Sequence, residues 1–211
     1  MTEPDRDCPR CPRLCQFREA NRVKFPDWHN APVPSFGAPD ARLLIVGLAP
    51  GLKGANRTGR PFTGDYAGDL LYGTLLKFGF AQGSYRAASD DGLTLVGCRI
   101  TNAVRCLPPQ NKPVGAEIAS CGPFLKADME TMANLRLVLA LGRIAHEAVL
   151  RATGVRFSLH PFRHGAFHGL GTNLTMADSY HCSRYNTNTK RLTEAMFHGL
   201  FDRIRRHLPT I

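Results

Sequence analysis

The chain has 211 residues, 43% of them hydrophobic and 21% charged, which fits one globular domain with a core large enough to need no staples. With 27 Lys and Arg against 17 Asp and Glu it carries a formal charge of +10, as expected of a partner of nucleic acid or of a merely basic surface. No apolar run approaches the roughly 20 residues that span a bilayer, and the start, Met1-Thr2-Glu3-Pro4-Asp5-Arg6-Asp7, lacks the basic-then-apolar layout of an export signal, so no membrane partner and a cytoplasmic location are expected.

Residues 8–25 form a cysteine-bearing segment that reads as helical after Pro12, and the Pro-rich stretch 26–34 reads as a linker. Leu43-Leu44-Ile45-Val46 predicts a buried strand over 42–47. A Gly-rich loop follows, Gly47-Leu48-Ala49-Pro50-Gly51 running on through Asn56-Arg57-Thr58-Gly59-Arg60-Pro61-Phe62-Thr63-Gly64-Asp65. It leaves a strand's C-terminal end, where open α/β sheets place their ligands. It contains no Gly-Lys-Ser/Thr of a Walker A loop, and the spacing of Gly47, Gly51 and Gly54 is not G-x-G-x-x-G, so no nucleotide cofactor is expected. What the loop offers is backbone able to approach a ligand closely, with an aromatic ring, Phe62, and a carboxylate, Asp65, behind it.

Apolar positions at helical spacing predict a helix over 69–78, then a strand over 98–104, the turn-rich segment 107–113 and a helix over 115–133. A strand over 137–141 follows, with Gly142 opening a helix over 143–153. Residues 154–172 read as a loop rich in Gly and His, 174–177 as a short strand, and 190–207 as a last amphipathic helix. Strands separated by helices call for a parallel sheet with helices on both faces, in a single domain spanning 1–211.

The seven cysteines, in a chain without an export signal, argue against a disulfide framework, which leaves metal binding or burial. Cys8 and Cys11 form C-x-x-C, and Cys106 and Cys121 form C-x14-C. Four thiolates in two groups suit a tetrahedral zinc or a [4Fe–4S] cluster, and they equally suit unrelated buried thiols. Cys98, in Leu95-Val96-Gly97-Cys98, is most simply core, whereas Cys15 competes with Cys11 as a lower-ranked ligand.

The two loop segments above, together with Thr101-Asn102-Ala103-Val104-Arg105-Cys106 and Ser179-Tyr180-His181-Cys182-Ser183-Arg184-Tyr185-Asn186-Thr187, resemble the family 5 uracil-DNA glycosylases, the UDGb type. The resemblance covers roughly residues 8–205 with every motif in the family's order. It implies a three-layer α/β/α sandwich around a four-stranded parallel sheet, a [4Fe–4S] cluster, and a monomer that excises uracil and some other deaminated bases, such as hypoxanthine or xanthine, from DNA. It also implies that Cys8, Cys11, Cys106 and Cys121 hold the cluster, which ties the N-terminal segment to the loop after the second strand, the one expected over 98–104.

Breaking the N-glycosidic bond of deoxyuridine puts positive charge on the sugar and negative charge on the departing base, and the base must first be flipped from the stack into a pocket. The resemblance then gives roles to residues that each have a plainer alternative. His181 donates to the leaving base or is a structural histidine after a strand. Phe62 stacks on the base or is core, and Asn102 reads the base edge or caps a turn. Asp65 orients a water and favours the sugar cation, or it simply caps the helix starting near Tyr66. Gly47, Ala49, Pro50 and Gly51 shape the base pocket, and Ser183, Arg184 and Asn186 contact DNA. Related glycosylase families carry a polar residue where this chain has Ala49, which is the reason for seeking the carboxylate at Asp65. Cys182 stands where a proline commonly follows the motif histidine, and the chain lacks the Arg-Arg-Ile-His insertion of relatives that become trapped on uracil-containing DNA. No lysine suited to lyase chemistry is evident. The rival from another class is a non-catalytic iron–sulfur or zinc module that binds nucleic acid.

Overall fold

A computed structural model describes residues 3–208. In chain order the elements are α1 (Pro12–Lys24), β1 (Leu43–Gly47), α2 (Ala55–Thr58), α3 (Tyr66–Lys77), β2 (Ala81–Gln82), β3 (Thr94–Leu95), β4 (Cys98–Asn102), α4 (Gly115–Thr131), β5 (Leu137–Leu141), α5 (Arg143–Thr153), β6 (Phe167–Gly169), β7 (Thr175–Ser179), α6 (Arg184–Asn188) and α7 (Glu194–His207). Local chemistry marks several boundaries. α1 starts at Pro12, where a missing N–H costs nothing, and ends on Arg22 and Lys24, which suit the negative end of the helix. Gly154, at φ 71°, closes α5 in the left-handed conformation.

The main sheet runs in the order β4-β1-β5-β7-β6. Its first four strands are mutually parallel, in the register Leu43↔Cys98, Leu43↔Leu137 and Leu137↔Thr175. Their side chains alternate between two apolar layers. Leu43, Ile45, Leu139 and Ala177 pack with Leu71 and Leu75 of α3 and Phe197, Phe201 and Ile204 of α7. Leu44, Val46, Val138 and Met176 pack with Leu14 of α1, Phe124 and Leu125 of α4, and Val149 of α5. Both faces are therefore dry, which is why these strands read as unbroken apolar runs rather than as an alternating pattern. The result is the expected three-layer sandwich.

Two features depart from the expected elements. The stretch 154–172, read as loop, contributes β6, a fifth strand antiparallel to β7 in the register Phe167↔Ala177. The expected helix over 190–207 is instead α7 from Glu194, because the Thr193 side chain accepts a hydrogen bond from the Met196 N–H and starts a new helix there. The preceding α6 is a separate short turn capped by Ser183. Among the described residues no helix is long and apolar enough to cross a membrane.

Because β1, β4, β5 and β7 are parallel, their C-terminal ends gather at one edge of the sheet, and the loops that leave them meet there. β4 lies on one side of β1 and β5 on the other, so the strand order reverses at β1 and opens a crevice beside the Gly-rich loop.

Candidate active site

A cavity of about 830 Å³ opens at that edge, within the size range of small-molecule pockets and roomy enough for a flipped nucleotide. Leu48 to Gly51 leave β1, Asn102 ends β4, Leu141 to Ile144 bridge β5 and α5, and Tyr180 and His181 follow β7; all of them line the cavity. So do Phe62, Asp65, Ser183, Arg184 and Asn186. Of the pocket residues expected from sequence, Gly47 alone is not in the wall, and its role is to make room. A Cβ at Gly47 would collide with the Asn102 side-chain oxygen and the Phe62 ring. Asn102, paired in register with Gly47, and the aromatic ring thereby share the space beside the glycine, and both line the cavity.

Phe62 adopts φ 54°, unusual for a residue with a side chain. Its ring is buried in the core on one side and faces His181 on the other, with ring centroids 5.9 Å apart at 27°. It is thus both core and cavity wall.

Asp65 has two roles as well. Its Oδ1 accepts a hydrogen bond from the Gly68 N–H at 3.2 Å and caps α3, which is the plainer role considered for it. Its Oδ2 lies against Gly51 and Gly54, where any Cβ on Gly54 would strike it. Burial raises the carboxyl's pKa above the usual value, opposed by the hydrogen bonds from Gly68 and Ala67.

Among the described residues the His181 ring has no hydrogen-bond partner, and burial lowers its pKa from 6.5 to about 4. It therefore stands neutral at physiological pH, with one N–H to donate. Its place is secured through the backbone, because Asn186 Nδ2 donates to the His181 carbonyl at 2.8 Å. Asn186 thus holds the histidine loop from within. Arg184 is exposed and lies over the Tyr66 ring at 5.3 Å.

Sequence reasoning missed part of the wall. Arg143, Phe162, Tyr180, Tyr66 and Tyr185 also line the cavity, and Tyr185 is 72% exposed at its mouth. Gly142, directly after β5, was the available signal for Arg143. Nothing local marked Phe162, which reaches the wall only because β6 pairs with β7 and holds its loop over the sheet edge.

A second, smaller hollow is lined by Cys8, Cys11, Cys15, Cys106 and Cys121 together with Arg18 and Arg105. None of the seven cysteines forms a disulfide. Burial pushes the Cys106 thiol up to about 12, reinforced by its neighbours Cys121, Cys8 and Cys11 and opposed by Arg18. Among the described residues no three cysteine sulfurs lie within 4.8 Å of one another. The sulfurs of a tetrahedral zinc with bonds of about 2.3 Å would stand about 3.8 Å apart, so the hollow suits a larger multi-iron cluster better than a single zinc. Arg18 and Arg105 are buried beside the sulfurs, and each keeps an Nε–H without a hydrogen bond among the described residues. Arg105 is already paired with Glu3 and Asp128, whereas Arg18 stands against Cys106 and Cys15, where an anionic thiolate cluster would be favoured. The four cysteines therefore fit a [4Fe–4S] group. Cys15 donates its thiol hydrogen to the Cys8 carbonyl at 3.2 Å.

A wall that combines an aromatic face, an amide, a carboxylate and a neutral imidazole at the end of a parallel sheet has counterparts among known proteins. Residues 34–205 match the model of the uracil DNA glycosylase superfamily. The chain is 46% identical over 196 residues to the type-5 uracil-DNA glycosylase of Thermus thermophilus, covering 90% of this chain and 89% of that one. The chain belongs to the type-5 branch of the uracil DNA glycosylase superfamily. Type-5 enzymes of Mycobacterium leprae, 42% identical over 92% of this chain and 88% of theirs, and of Pyrobaculum aerophilum, 38% identical over 89% and 83%, are also similar. Membership accounts for the motif order along the chain and for the sheet edge at which the motifs meet.

Proposed function

We propose that this chain is a monofunctional uracil-DNA glycosylase that hydrolyses the N-glycosidic bond of uracil, and of other deaminated bases such as hypoxanthine or xanthine, to leave an abasic site. One observation carries the reading. Phe62, Asn102, Asp65 and His181, drawn from three separate motifs, converge on one cavity at the sheet edge, and each supplies a different need of the same reaction.

The flipped base stacks on Phe62, and the Asn102 amide, a donor and an acceptor side by side, suits an imide edge with the same pair. His181 donates to the base oxygen on which charge develops as the bond breaks. Its neutrality matters, because an imidazolium would add positive charge beside a sugar that is itself becoming cationic, whereas a neutral donor stabilises the leaving group alone. Asp65 serves the other end of the bond. Oδ1 is committed to the helix cap, and Oδ2 is free to orient water and favour the sugar cation. The exposed Tyr185, beside Arg184 at the mouth, is placed to wedge into the base stack while Arg184 meets phosphate.

Cys8, Cys11, Cys106 and Cys121 would hold a [4Fe–4S] cluster, whose contribution is a cross-link between α1 and the segment around α4 rather than chemistry on the base. The protein is expected to act as a monomer on DNA.

The test is release of base from duplexes carrying uracil, hypoxanthine, xanthine or mismatched thymine, followed by alkaline cleavage of the abasic strand. Uracil is expected to turn over, with at least one deaminated purine as a second substrate. Tight binding to every duplex with no base released would overturn the reading in favour of a non-catalytic nucleic-acid module.

A further inference from the structure

The left-handed backbone at Phe62 is costly for a residue with a side chain and persists only where the surroundings impose it. Several of the residues that impose it, Tyr72, Tyr85 and Asp91, lie outside every motif that lines the cavity. Ahead of Phe62, the Pro61 carbonyl accepts from the Tyr72 hydroxyl at 2.6 Å. At Phe62 itself, the carbonyl accepts from the Tyr85 hydroxyl at 3.3 Å, and the Tyr85 hydroxyl oxygen in turn accepts from the Gly64 N–H at 3.4 Å. Gly68, inside α3, is glycine because a Cβ there would run into the Phe62 carbonyl and the Tyr85 hydroxyl.

Beneath this turn lies a buried ion pair. Arg60 donates through Nη1 and Nη2 to both oxygens of Asp91 at 2.8 Å, and through Nε to the Thr63 hydroxyl at 2.7 Å. Its guanidinium is enclosed by the rings of Phe36, Tyr72 and Tyr85. Asp91 also accepts from the N–H groups of Arg86 and Leu93, which folds the 86–93 segment around the pair. The side chains are 5% and 0% exposed. A pair so deeply buried adds little net stability over apolar groups of the same volume, but it imposes a single geometry. No residue of 85–93 lines the cavity.

We propose that the Arg60–Asp91 pair and the Tyr85 hydroxyl are positioning residues for base recognition, holding the Phe62 backbone so that its ring presents one face to the flipped base. This rests on the glycosylase reading above. The loop between β2 and β3, whose residues 85–93 do not line the cavity, would thereby govern how firmly the extrahelical base is stacked.

The experiment compares Tyr85→Phe, which removes one hydroxyl and keeps the ring over Arg60, with Phe62→Leu and the double variant, and uses Asp91→Asn as a second probe of the same device. Tyr85→Phe is expected to lower the single-turnover rate on a uracil duplex about tenfold, as small misplacements of a binding group do, with affinity for an undamaged duplex unchanged. In the Phe62→Leu background the same substitution should cost less than about twofold, because a residue acting through Phe62 has nothing left to position. A readout independent of turnover is the cross-relaxation between the Phe62 ring and the Gly47 α-protons, expected to weaken in Tyr85→Phe and Asp91→Asn. An equal loss in both backgrounds, or an unchanged rate together with an unchanged ring contact, overturns the inference. A parent protein that releases no base overturns the glycosylase reading instead, and the ring contact then decides the positioning claim alone.

Discussion

Replacing His181 with Ala tests both the chemistry and the electrostatics of the site. The ring has no partner among the described residues to stabilise a charge, and burial lowers its pKa from 6.5 to about 4. The unfolded chain therefore binds a proton more readily than the folded one. Stability is full above about pH 6.5, falls as the pH drops towards 4 and levels off below it. At about 1.4 kcal/mol per unit the whole window is worth about 3 kcal/mol as an upper bound, reduced because the ring is partly open to the cavity. Urea unfolding of parent and variant at pH 7, 6 and 5 reads this directly, and the variant should lose less stability on acidification than the parent. The same substitution removes the donor to the leaving base and should cost roughly 10²–10³ in single-turnover rate, as loss of one oxyanion-hole donor does. Duplex binding should survive on phosphate contacts. A variant that releases uracil at the parental rate, or one whose stability falls with acid as steeply as the parent's, would refute the assignment.

Asp65 separates its two roles by substitution. Asp65→Asn keeps a cap acceptor and should slow base release, most for poorly leaving bases, with little loss of stability, whereas Asp65→Ala should also cost about 1 kcal/mol in urea unfolding. Because burial raises the Asp65 pKa, the carboxylate fraction and the rate should rise with pH through a midpoint above the usual carboxylate value, a limb absent from Asp65→Asn. Cys106→Ser should lower iron content and the broad absorbance near 400 nm expected of an iron–sulfur protein, and impair folding more than chemistry, whereas a colourless folded parent with stoichiometric zinc would overturn the cluster assignment. Asp128 pairs with the buried Arg105 at 2.8 Å and with Arg99 at 3.0 Å, so Asp128→Asn should cost about 3–5 kcal/mol in unfolding without altering the preference among bases. Affinity for uracil-free duplex should fall at least about tenfold between low and physiological salt, and a flat response would make the +10 charge incidental.

Much of the molecule was legible locally. Leu137–Leu141 and Arg143–Thr153 occupy the stretches that apolar runs and a helix-opening glycine mark out, because a strand dry on both faces and a helix after Gly142 are specified by residues a few positions apart. The motif residues were legible as well, since the loop chemistry of Gly47 to Asp65 and of His181 to Asn186 is contained within each segment. β6 was not. Phe167-His168-Gly169 carries no strand pattern, and these residues become a strand only by pairing with β7. Asp65 shows the limit most plainly: sequence offered a cap or a catalytic carboxylate, and the structure shows Oδ1 capping α3 while Oδ2 lies against Gly51 and Gly54, an approach that no local pattern marks.

By itself, then, the sequence determined the layers of the fold, the order of the motifs and the types of side chain available for chemistry, because these follow from periodicity and local backbone preference. The tertiary structure decided which of those side chains meet: Cys8 and Cys11 with Cys106 and Cys121, Phe62 with His181 in the cavity wall, and Asp91 with Arg60 beneath Phe62. Contacts between residues tens of positions apart depend on how the sheet is ordered and how its loops close, and no local pattern encodes that.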